Sequence, residues 1–529
     1  MLFNSYEFIL AFLPITLAVF FFVISRYGHE PAIAWLVSAS LIFYAWWSVT
    51  YLALIILSMV INYGMGKLLA RHHSNGAVRQ GKMLLTIGIA ANLGALGYFK
   101  YANFFVSNFN IVAETSFQLE TIILPLAISF FTFQQIAYLI DAHKGITSEF
   151  KFLHYALFVT FFPQLIAGPI VHHREMLPQF MSKKTLRFNA DDLSVGIAIF
   201  SIGLFKKVVL ADGIAVYASP IFDAAAQGET LTFFEAWGGA LAYTLQLYFD
   251  FSGYSDMAIG AARMFGIKLP LNFHSPYKAT SISEFWRRWH MTLSRFLRDY
   301  VYIPLGGNKK GHYRRYSNMM ITMLLGGLWH GAGWTFVIWG GLHGIYLAVN
   351  HSWRKIQSTL NLTAGRAAPF YKIAAWGLTF FCVVIGWVFF RASDLSSAIA
   401  ILEGMSGQNG VAIPNAIAIR TGSFQTLLND LGMTFYLGGG SQFLFTYLWI
   451  IALLFIALFM PNTQEIMRHF SPAFNKHKSG VADALQLTKI LEKRSIWQPT
   501  RTWGIFIAII SACGLLSLSS VSEFLYFQF

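Results

Sequence analysis

Charged side chains are scarce in this chain. Lysine, arginine, aspartate and glutamate make up 12% of its 529 residues, and 56% of the residues are hydrophobic. Soluble globular proteins carry about 25% charged residues, so this chain lacks the polar groups to cover a soluble surface. Apolar runs close to the ~20 residues that a helix needs to cross a bilayer recur instead. Because hydrocarbon leaves backbone polar groups no water to bond, we expect these runs to be helices.

The clearest apolar runs are residues 8–25, 33–47, 51–69, 84–98, 122–140, 193–204, 373–390, 444–460 and 503–518. They predict an all-α fold, a polytopic transmembrane bundle with about 10–12 membrane helices in the bilayer. No internal repeat at a fixed period and no low-complexity tract divides the chain. We therefore expect one domain, residues 1–529.

Cysteine is as scarce as charge. Cys382 and Cys513 both lie in apolar runs, so the sequence has no disulfide framework and no metal-type cysteine spacing. We expect no metal cofactor. A Walker-type phosphate loop is also missing. The net charge of +14 comes from short loops between spans, which is typical of cytoplasmic loops of membrane proteins and argues against a nucleic-acid partner.

Basic loops predict the orientation of the chain. Those expected on the cytoplasmic side are 71–82, 144–151, 172–187, 263–315, 354–372 and 468–501, whereas 212–232 and 392–442 have few or no basic residues. This alternation puts both termini outside. Two apolar stretches, 152–171 and 319–350, have basic loops at both ends. We expect a re-entrant pair or a helix hairpin there, and hence a functional cavity.

The first candidate site is the polar face of residues 246–256. Gln246 and Asp250 share one helical face by their spacing, and Tyr254 lies one turn further on. An acid inside a span usually faces a bundle interior or a wet cavity. Asp250 is therefore either a structural acid paired with a basic neighbour or a contact to substrate.

The second candidate site is the basic, aromatic segment 281–300. We expect a helix that Ser283 caps, with Trp286 and His290 on one side of it. Arginines beside tryptophans are typical of a helix that lies at the membrane surface. Arg295 and Arg298 alternatively form a cationic mouth that grips an anionic donor, since arginine suits phosphate.

The third candidate site surrounds His330, which follows Trp329 in the glycine-rich segment 326–334. Small residues let membrane helices pack tightly, which explains the glycines without a catalytic role. It does not explain an imidazole at membrane depth, where ionisable residues are usually functional. We expect His343, further along, to be a packing residue.

Together these residues favour acyl transfer. Histidine accepts a proton near neutral pH and can activate a hydroxyl. A buried His330, a second histidine at 290 and a basic cytoplasmic face fit a donor thioester that arrives from the cytoplasm and an acceptor hydroxyl that arrives from elsewhere.

Five segments resemble the membrane-bound O-acyltransferase (MBOAT) family, in particular its bacterial alginate O-acetyltransferase branch. They are residues 162–169 (FPQLIAGP), 248–256 (YFDFSGYSD), 284–290 (EFWRRWH), 296–307 (FLRDYVYIPLGG) and 326–334 (GGLWHGAGW). The detailed likeness covers about residues 160–345, which we expect to be the catalytic core.

The resemblance implies a ring of helices around a thin core in the bacterial inner membrane. It implies that His330 and His290 are catalytic, and that Gln246, Asp250, Tyr254, Trp286, Arg295, Arg298 and Trp329 are candidates for substrate or donor contacts. It also implies acetyl-CoA or another acyl thioester as donor, and an extracytoplasmic SGNH-type acetyltransferase as partner. The acceptor is an exported polysaccharide such as alginate, with cellulose or peptidoglycan as alternatives. A non-catalytic donor transporter is the alternative from another class.

Overall fold

The computed structural model describes residues 1–120, 122–146, 151–183, 186–360, 369–422, 424–474 and 495–519. Parts of the predicted basic loops 144–151, 172–187, 354–372 and 468–501 lie outside these residues. Helices account for nearly all regular structure in the part described, which confirms the predicted all-α fold.

The helices of the first half are α1 (Leu13–Tyr27), α2 (His29–Ala45), α3 (Val49–Ser74), α4 (Val78–Leu96), α5 (Ala102–Ala113), α6 (Ile128–His143), α7 (Phe152–Thr160), α8 (Phe162–Leu165), α9 (His173–Met181), α10 (Ala190–Phe205), α11 (Asp212–Ala226) and α12 (Phe233–Met264). Those of the second half are α13 (Ile282–Phe285), α14 (Met291–Leu297), α15 (Gly311–His330), α16 (Trp334–Thr359), α17 (Pro369–Arg391), α18 (Leu395–Met405), α19 (Asn415–Ala418), α20 (Phe424–Asp430), α21 (Gly440–Phe459), α22 (Thr463–Ile466) and α23 (Arg501–Leu516).

Short irregular elements join these helices. π-Helical segments occupy Glu7–Phe12, Gly97–Tyr101, Lys206–Ala211 and Arg298–Tyr302, and 3₁₀ turns occupy Pro276–Lys278, Ile419–Thr421, Arg468–Phe470 and Ser517–Ser519. The strands β1 (Ala412–Pro414) and β2 (Thr434–Tyr436) pair in parallel within the loop predicted to lie outside, with Ala412 opposite Thr434.

Among the described residues, seven continuous helical segments are long and apolar enough to cross a membrane: Glu7–Tyr27, Val49–Ser74, Val78–Ala113, Ala190–Ala226, Pro369–Arg391, Gly440–Phe459 and Arg501–Ser519. The predicted runs 33–47 and 122–140 correspond to α2 and α6, which have 17 and 16 residues. At 1.5 Å per residue these two helices fall short of a ~30 Å hydrocarbon core.

Helix α12 lies at the centre of the bundle. From Ala236 to Met264 almost every residue is buried. Its first half packs with α11, α17, α18 and α21, and its second half packs most closely with α10. A helix surrounded by protein on all sides does not need a wholly apolar surface, which explains why α12 holds so many polar residues.

The two apolar stretches that did not fit the alternation are both interrupted. Residues 152–171 form the short helices α7 and α8 and then a non-helical segment, and the stretch is buried from His154 onward. Residues 319–350 belong to a hairpin of α15 and α16, which confirms the expected hairpin. Its helices pack so closely that a Cβ on Gly327 would lie 2.2 Å from the carbonyl oxygen of Phe336.

The basic, aromatic segment differs from its predicted form. The cap of α13 is Ser281, whose Oγ accepts a hydrogen bond from the backbone N–H of Glu284. The helix ends at Phe285, so Trp286 and His290 do not share a helical face. His290 instead takes a left-handed conformation with φ 41° just before α14. The spacing argument for Trp286 and His290 failed because the helix ends at Phe285 and the chain turns again at His290.

Candidate functional site

His330 is the last residue of α15, at the tip of the hairpin. Its ring is packed among aromatic rings, with centroids of Trp329, Trp339 and Phe390 at 4.9, 5.2 and 5.1 Å. The residue is 7% exposed. Aromatic walls hold the imidazole in place without using its nitrogen atoms, so the ring stays available for chemistry.

A cavity of about 280 Å³ reaches the His330 side chain. Its wall consists of Trp47, Lys100, residues 123–130, Ile166, Trp329 and His330. Ile166 comes from the interrupted stretch 152–171, so both stretches singled out for a cavity contribute to this one. His330 is therefore buried within the protein and forms part of the wall of this cavity.

His290 lies beside His330, with 6.3 Å between their ring centroids, although the two are far apart in sequence. Its Nδ1 is 3.0 Å from Oδ1 of Asn272. That oxygen also accepts hydrogen bonds from the backbone N–H and the hydroxyl of Thr292, so Nδ1 is the donor. The proton thus sits on Nδ1, and Nε2 is an acceptor.

The Nε2 atom of His290 is buried and has no hydrogen-bond partner in the described part of the chain. A buried acceptor without a partner is costly and calls for an explanation. The strained backbone of His290 adds a further cost, and strain of this kind clusters at active sites. A bound hydroxyl would supply the partner that Nε2 lacks.

Lys100 is a partly buried lysine next to His330 that was not among the candidates named from the sequence. Its Nζ donates to the carbonyl oxygens of Trp329 and His330 at 2.6 and 3.1 Å. The neighbouring hydroxyl of Tyr101 donates to the carbonyl oxygen of Leu328 at 2.7 Å. The last carbonyls of a helix have no partners within it and attract positive charge, so this pair of side chains caps α15.

One signal in the sequence and one in the structure point to Lys100. It is a lysine inside an apolar span, and such residues are functional by default. It also falls in the π-helical segment Gly97–Tyr101, a kind of distortion that is frequent at functional sites. Its partner carbonyls belong to a helix more than two hundred residues later, so sequence reasoning had no means of naming them.

Asp250 lies in an ion cluster between α12 and the π-helical segment Lys206–Ala211. Its Oδ1 is 2.7 Å from Nζ of Lys207, and the same ammonium is 2.7 Å from Oδ1 of Asp212. Lys206 pairs with Asp256 on the same side of α12 at 2.8 Å. Of the two interpretations of Asp250, the structure favours the acid paired with a basic neighbour.

Two further candidates, Gln246 and Tyr254, lie on α12. Gln246 is buried on α12. Tyr254 stacks on Phe3 at 4.7 Å between ring centroids, within the core near the N-terminus. None of these described contacts brings either residue to the cavity wall.

Trp286 is linked to His330 indirectly. Its ring lies 5.8 Å from that of Trp339, which contacts His330. Its indole N–H donates to Nδ1 of His343 at 3.3 Å. His343 is thus buried with a partner at Nδ1, whereas its Nε2 has no hydrogen-bond partner among the described residues. Its packing role stays a prediction.

Both candidate arginines have acidic partners. Arg295 makes two hydrogen bonds to Glu175, at 2.5 and 2.8 Å. Arg298 pairs with the adjacent Asp299 at 2.7 Å, and 60% of its side chain is exposed. The mouth is thus less cationic than the sequence suggested, and Arg298 is the more accessible of the two for an anion.

Comparison with known proteins identifies the family of this chain. A model of the membrane-bound O-acyltransferase family matches residues 146–391. The chain is 47% identical to the peptidoglycan O-acetyltransferase of Helicobacter pylori over 81% of its own length and 84% of that protein. The chain belongs to the MBOAT family. It is a multi-pass bacterial membrane protein and an O-acyltransferase.

Other MBOAT relatives differ in their acceptors. The probable alginate O-acetylase AlgI of Pseudomonas putida is 43% identical over 77% of this chain and 80% of that protein. The teichoic acid D-alanyltransferase of Bacillus subtilis is 32% identical over 44% of this chain and 60% of that protein. Acyl thioesters are the donors that MBOAT acyltransferases generally use.

Proposed function

We propose that this MBOAT protein takes an acetyl group from acetyl-CoA at the cytoplasmic side and delivers it for O-acetylation of an exported polysaccharide. The observation that carries the proposal is the pair of histidines: His330 lines a cavity, and His290 lies beside it with an unpartnered Nε2. His330 and His290 are the proposed catalytic residues, within the one domain proposed for residues 1–529.

The proposed reaction needs one proton acceptor and one positioned carbonyl. An imidazole nitrogen takes the proton of the acceptor hydroxyl as its oxygen attacks the acetyl carbon. The C–S bond of the thioester breaks, and the proton passes to the sulfur, so that CoA leaves as the thiol. The narrow, water-poor surroundings of His330 favour transfer to the acceptor over hydrolysis.

The position of the cavity supports an acceptor that arrives from outside. Its wall includes residues 123–130, which follow the span Val78–Ala113. That span begins at the basic loop 71–82, predicted to be cytoplasmic, so its far end faces outward. The hairpin helix α15 begins in the polar loop 263–315 and ends at His330, so we expect His330 to lie within the membrane, between a donor from the cytoplasm and an acceptor from outside.

Peptidoglycan is the acceptor we favour, because the Helicobacter pylori relative named for it matches more of both chains than the alginate relatives do. Alginate is the second candidate, supported by the match to AlgI. We propose that an extracytoplasmic SGNH-type acetyltransferase completes the transfer, and that the external loop 392–442 with its two-stranded sheet is where it docks.

The proposal is tested with His330→Ala in cells whose own copy of the gene is deleted. Acetate released by mild base from purified sacculi should fall to the level of the deletion strain. His312→Ala is the matched control, because His312 is exposed at the other end of the same helix, and it should keep full acetylation. Full acetylation with His330→Ala at equal membrane levels would refute the catalytic role.

The same strains separate the enzyme from the donor transporter. If the protein only passes donor across the membrane, the purified partner should acetylate the polysaccharide unaided once acetyl-CoA is supplied directly. If the protein is an enzyme, acetylation should also require the membrane protein with an intact His330. Acetate bound to isolated alginate or cellulose, rather than to sacculi, would redirect the acceptor assignment.

A further inference from the structure

The starts of α2 and α7 bring three metal-ligating side chains together, away from the acyl-transfer site. His29 and Glu30 are the first two residues of α2, and His154 is the third residue of α7. One ligand atom of each lies within 4.8 Å of the other two. We propose that His29, Glu30 and His154 form a site for a divalent transition-metal ion, with Zn²⁺ as the chemical type.

The two imidazoles are the main evidence. Nε2 of His29 and Nε2 of His154 are both buried and have no hydrogen-bond partner among the described residues. His154 is only 5% exposed, and its Nε2 lies 3.8 Å from Oε1 of Glu30, beyond hydrogen-bond reach. Buried polar atoms are normally satisfied, so two unpartnered imidazole nitrogens in a cluster with one carboxylate leave room for a shared ion.

The donor set selects the class of metal. Imidazole nitrogen suits zinc, copper, iron and nickel, whereas magnesium and calcium prefer oxygen ligands. Two histidines and one glutamate form a three-ligand zinc set that leaves a fourth position for water. Tetrahedral Zn²⁺ places its ligands about 3.4 Å apart, so the three side chains need to close only slightly from their present separations.

Lys151 would compete with a metal ion for the carboxylate of Glu30. Its Nζ lies 2.9 Å from Oε1 of Glu30, and 69% of its side chain is exposed. An exposed lysine can turn towards water at little cost, since a surface ion pair contributes little to stability. The ammonium occupies one side of the carboxylate in the absence of metal, and a dication replaces that charge when it binds.

The ion would join two parts of the bundle. Helix α2 packs against α7, and α7 leads through α8 to Ile166 in the wall of the His330 cavity. The site lies beside Lys151, which ends a basic segment predicted to face the cytoplasm, so the ion is expected to enter from that side. Binding should stabilise the folded protein, because an ion that binds only the folded state shifts the unfolding equilibrium.

The test uses the full chain in detergent, with any affinity tag removed and bound metal stripped by a chelator. After incubation with Zn²⁺ and desalting, elemental analysis should find one ion per chain, and Zn²⁺ should raise the melting temperature. Co²⁺ should give the intense visible absorption of a tetrahedral site. Glu30→Gln should weaken Zn²⁺ binding by at least the about 10–100-fold that a lost supporting partner costs at a metal site.

Controls separate the metal site from the ion pair. Lys151→Met breaks the same ion pair as Glu30→Gln but keeps all three ligands, so it should retain or tighten Zn²⁺ binding. His154→Ala should lose both the bound ion and the Co²⁺ absorption. Equal zinc content and affinity in the native chain and in Glu30→Gln would overturn the proposal, as would the absence of bound Zn²⁺ in the native chain. Neither result bears on acetyl transfer.

Discussion

Two clusters of buried ionisable residues contrast in this molecule. In the cluster around Lys207, the ammonium lies between the carboxylates of Asp250 and Asp212 at 2.7 Å from each. Around His330 the opposite holds: Nε2 of His290 has no partner among the described residues, and a cavity opens beside the ring of His330.

This difference distinguishes polar groups that stabilise the fold from polar groups that are available to bind a substrate. Both clusters consist of residues that the sequence marks equally, since each places ionisable groups in apolar surroundings. Only the pairing in three dimensions tells them apart. A charged group that is paired with its neighbours has no hydrogen-bonding capacity left for a ligand. An unpartnered nitrogen beside a cavity keeps that capacity.

The largest expected effect is on stability, at Lys207. Lys207→Met leaves two buried carboxylates without their cation, and breaking a buried ion pair by removing one partner costs about 3–5 kcal/mol. We expect a strong drop in folded protein, measured by size-exclusion chromatography in detergent after heating. The double variant Lys207→Met/Asp250→Asn removes one of the stranded charges and should recover part of the loss.

If Lys207→Met were instead stable but inactive, the cluster would belong to the reaction. The contrast between a paired and an unpaired cluster would then break down.

The next effect is on activity, at Lys100. Lys100→Met removes two charge-assisted hydrogen bonds from the end of the helix that carries His330. Each such bond contributes about 1.5–3 kcal/mol, and every ~1.4 kcal/mol that reaches the transition state is tenfold in rate. We expect acetyl transfer to fall by about tenfold or more, measured as turnover at saturating donor.

Lys100→Gln keeps donors to the same carbonyl oxygens and should restore part of the turnover. An unchanged turnover in Lys100→Met would show that the cap of α15 has no influence on the position of His330.

A smaller effect is expected at Asn272, which orients His290 from behind. Asn272→Leu keeps the size of the side chain but removes the oxygen that accepts from Nδ1 of His290, and so frees the choice of tautomer. We expect turnover to fall several-fold with little change in membrane levels. Asn272→Asp retains an acceptor oxygen and should keep more activity than Asn272→Leu.

A reversed order, with Asn272→Leu more active than Asn272→Asp, would argue against the tautomer assigned to His290.

The fold was largely predictable. Apolar runs of sufficient length predicted the spans, because a helix that faces lipid must be apolar over most of its surface. The prediction of membrane spans was less accurate for α12, whose polar residues are enclosed by other helices. It was also less accurate for α2 and α6, which are too short to cross the bilayer alone. The prediction of a helix that begins at Ser283, with Trp286 and His290 on one side of it, was wrong, because local spacing does not reveal a turn fixed by tertiary contacts to Asn272.

The candidate site was partly predictable. His330, His290 and Trp329 stood out from the sequence and do meet in space, although their catalytic roles stay predictions. Asp250, Arg295 and Arg298 stood out for the same reason, yet each has a counter-ion. Lys100 was missed, since its contacts are with backbone carbonyls that carry no signature in the sequence.

The sequence alone determined that this is a membrane-embedded bundle of helices and that a histidine lies at membrane depth in it. The low content of charged residues and the long apolar runs are properties of the sequence itself. Tertiary structure decided which ionisable groups neutralise each other, which face a cavity, and which converge at the start of α2. Pairing energies depend on distances of a few ångströms, and folding sets those distances between residues far apart in the chain.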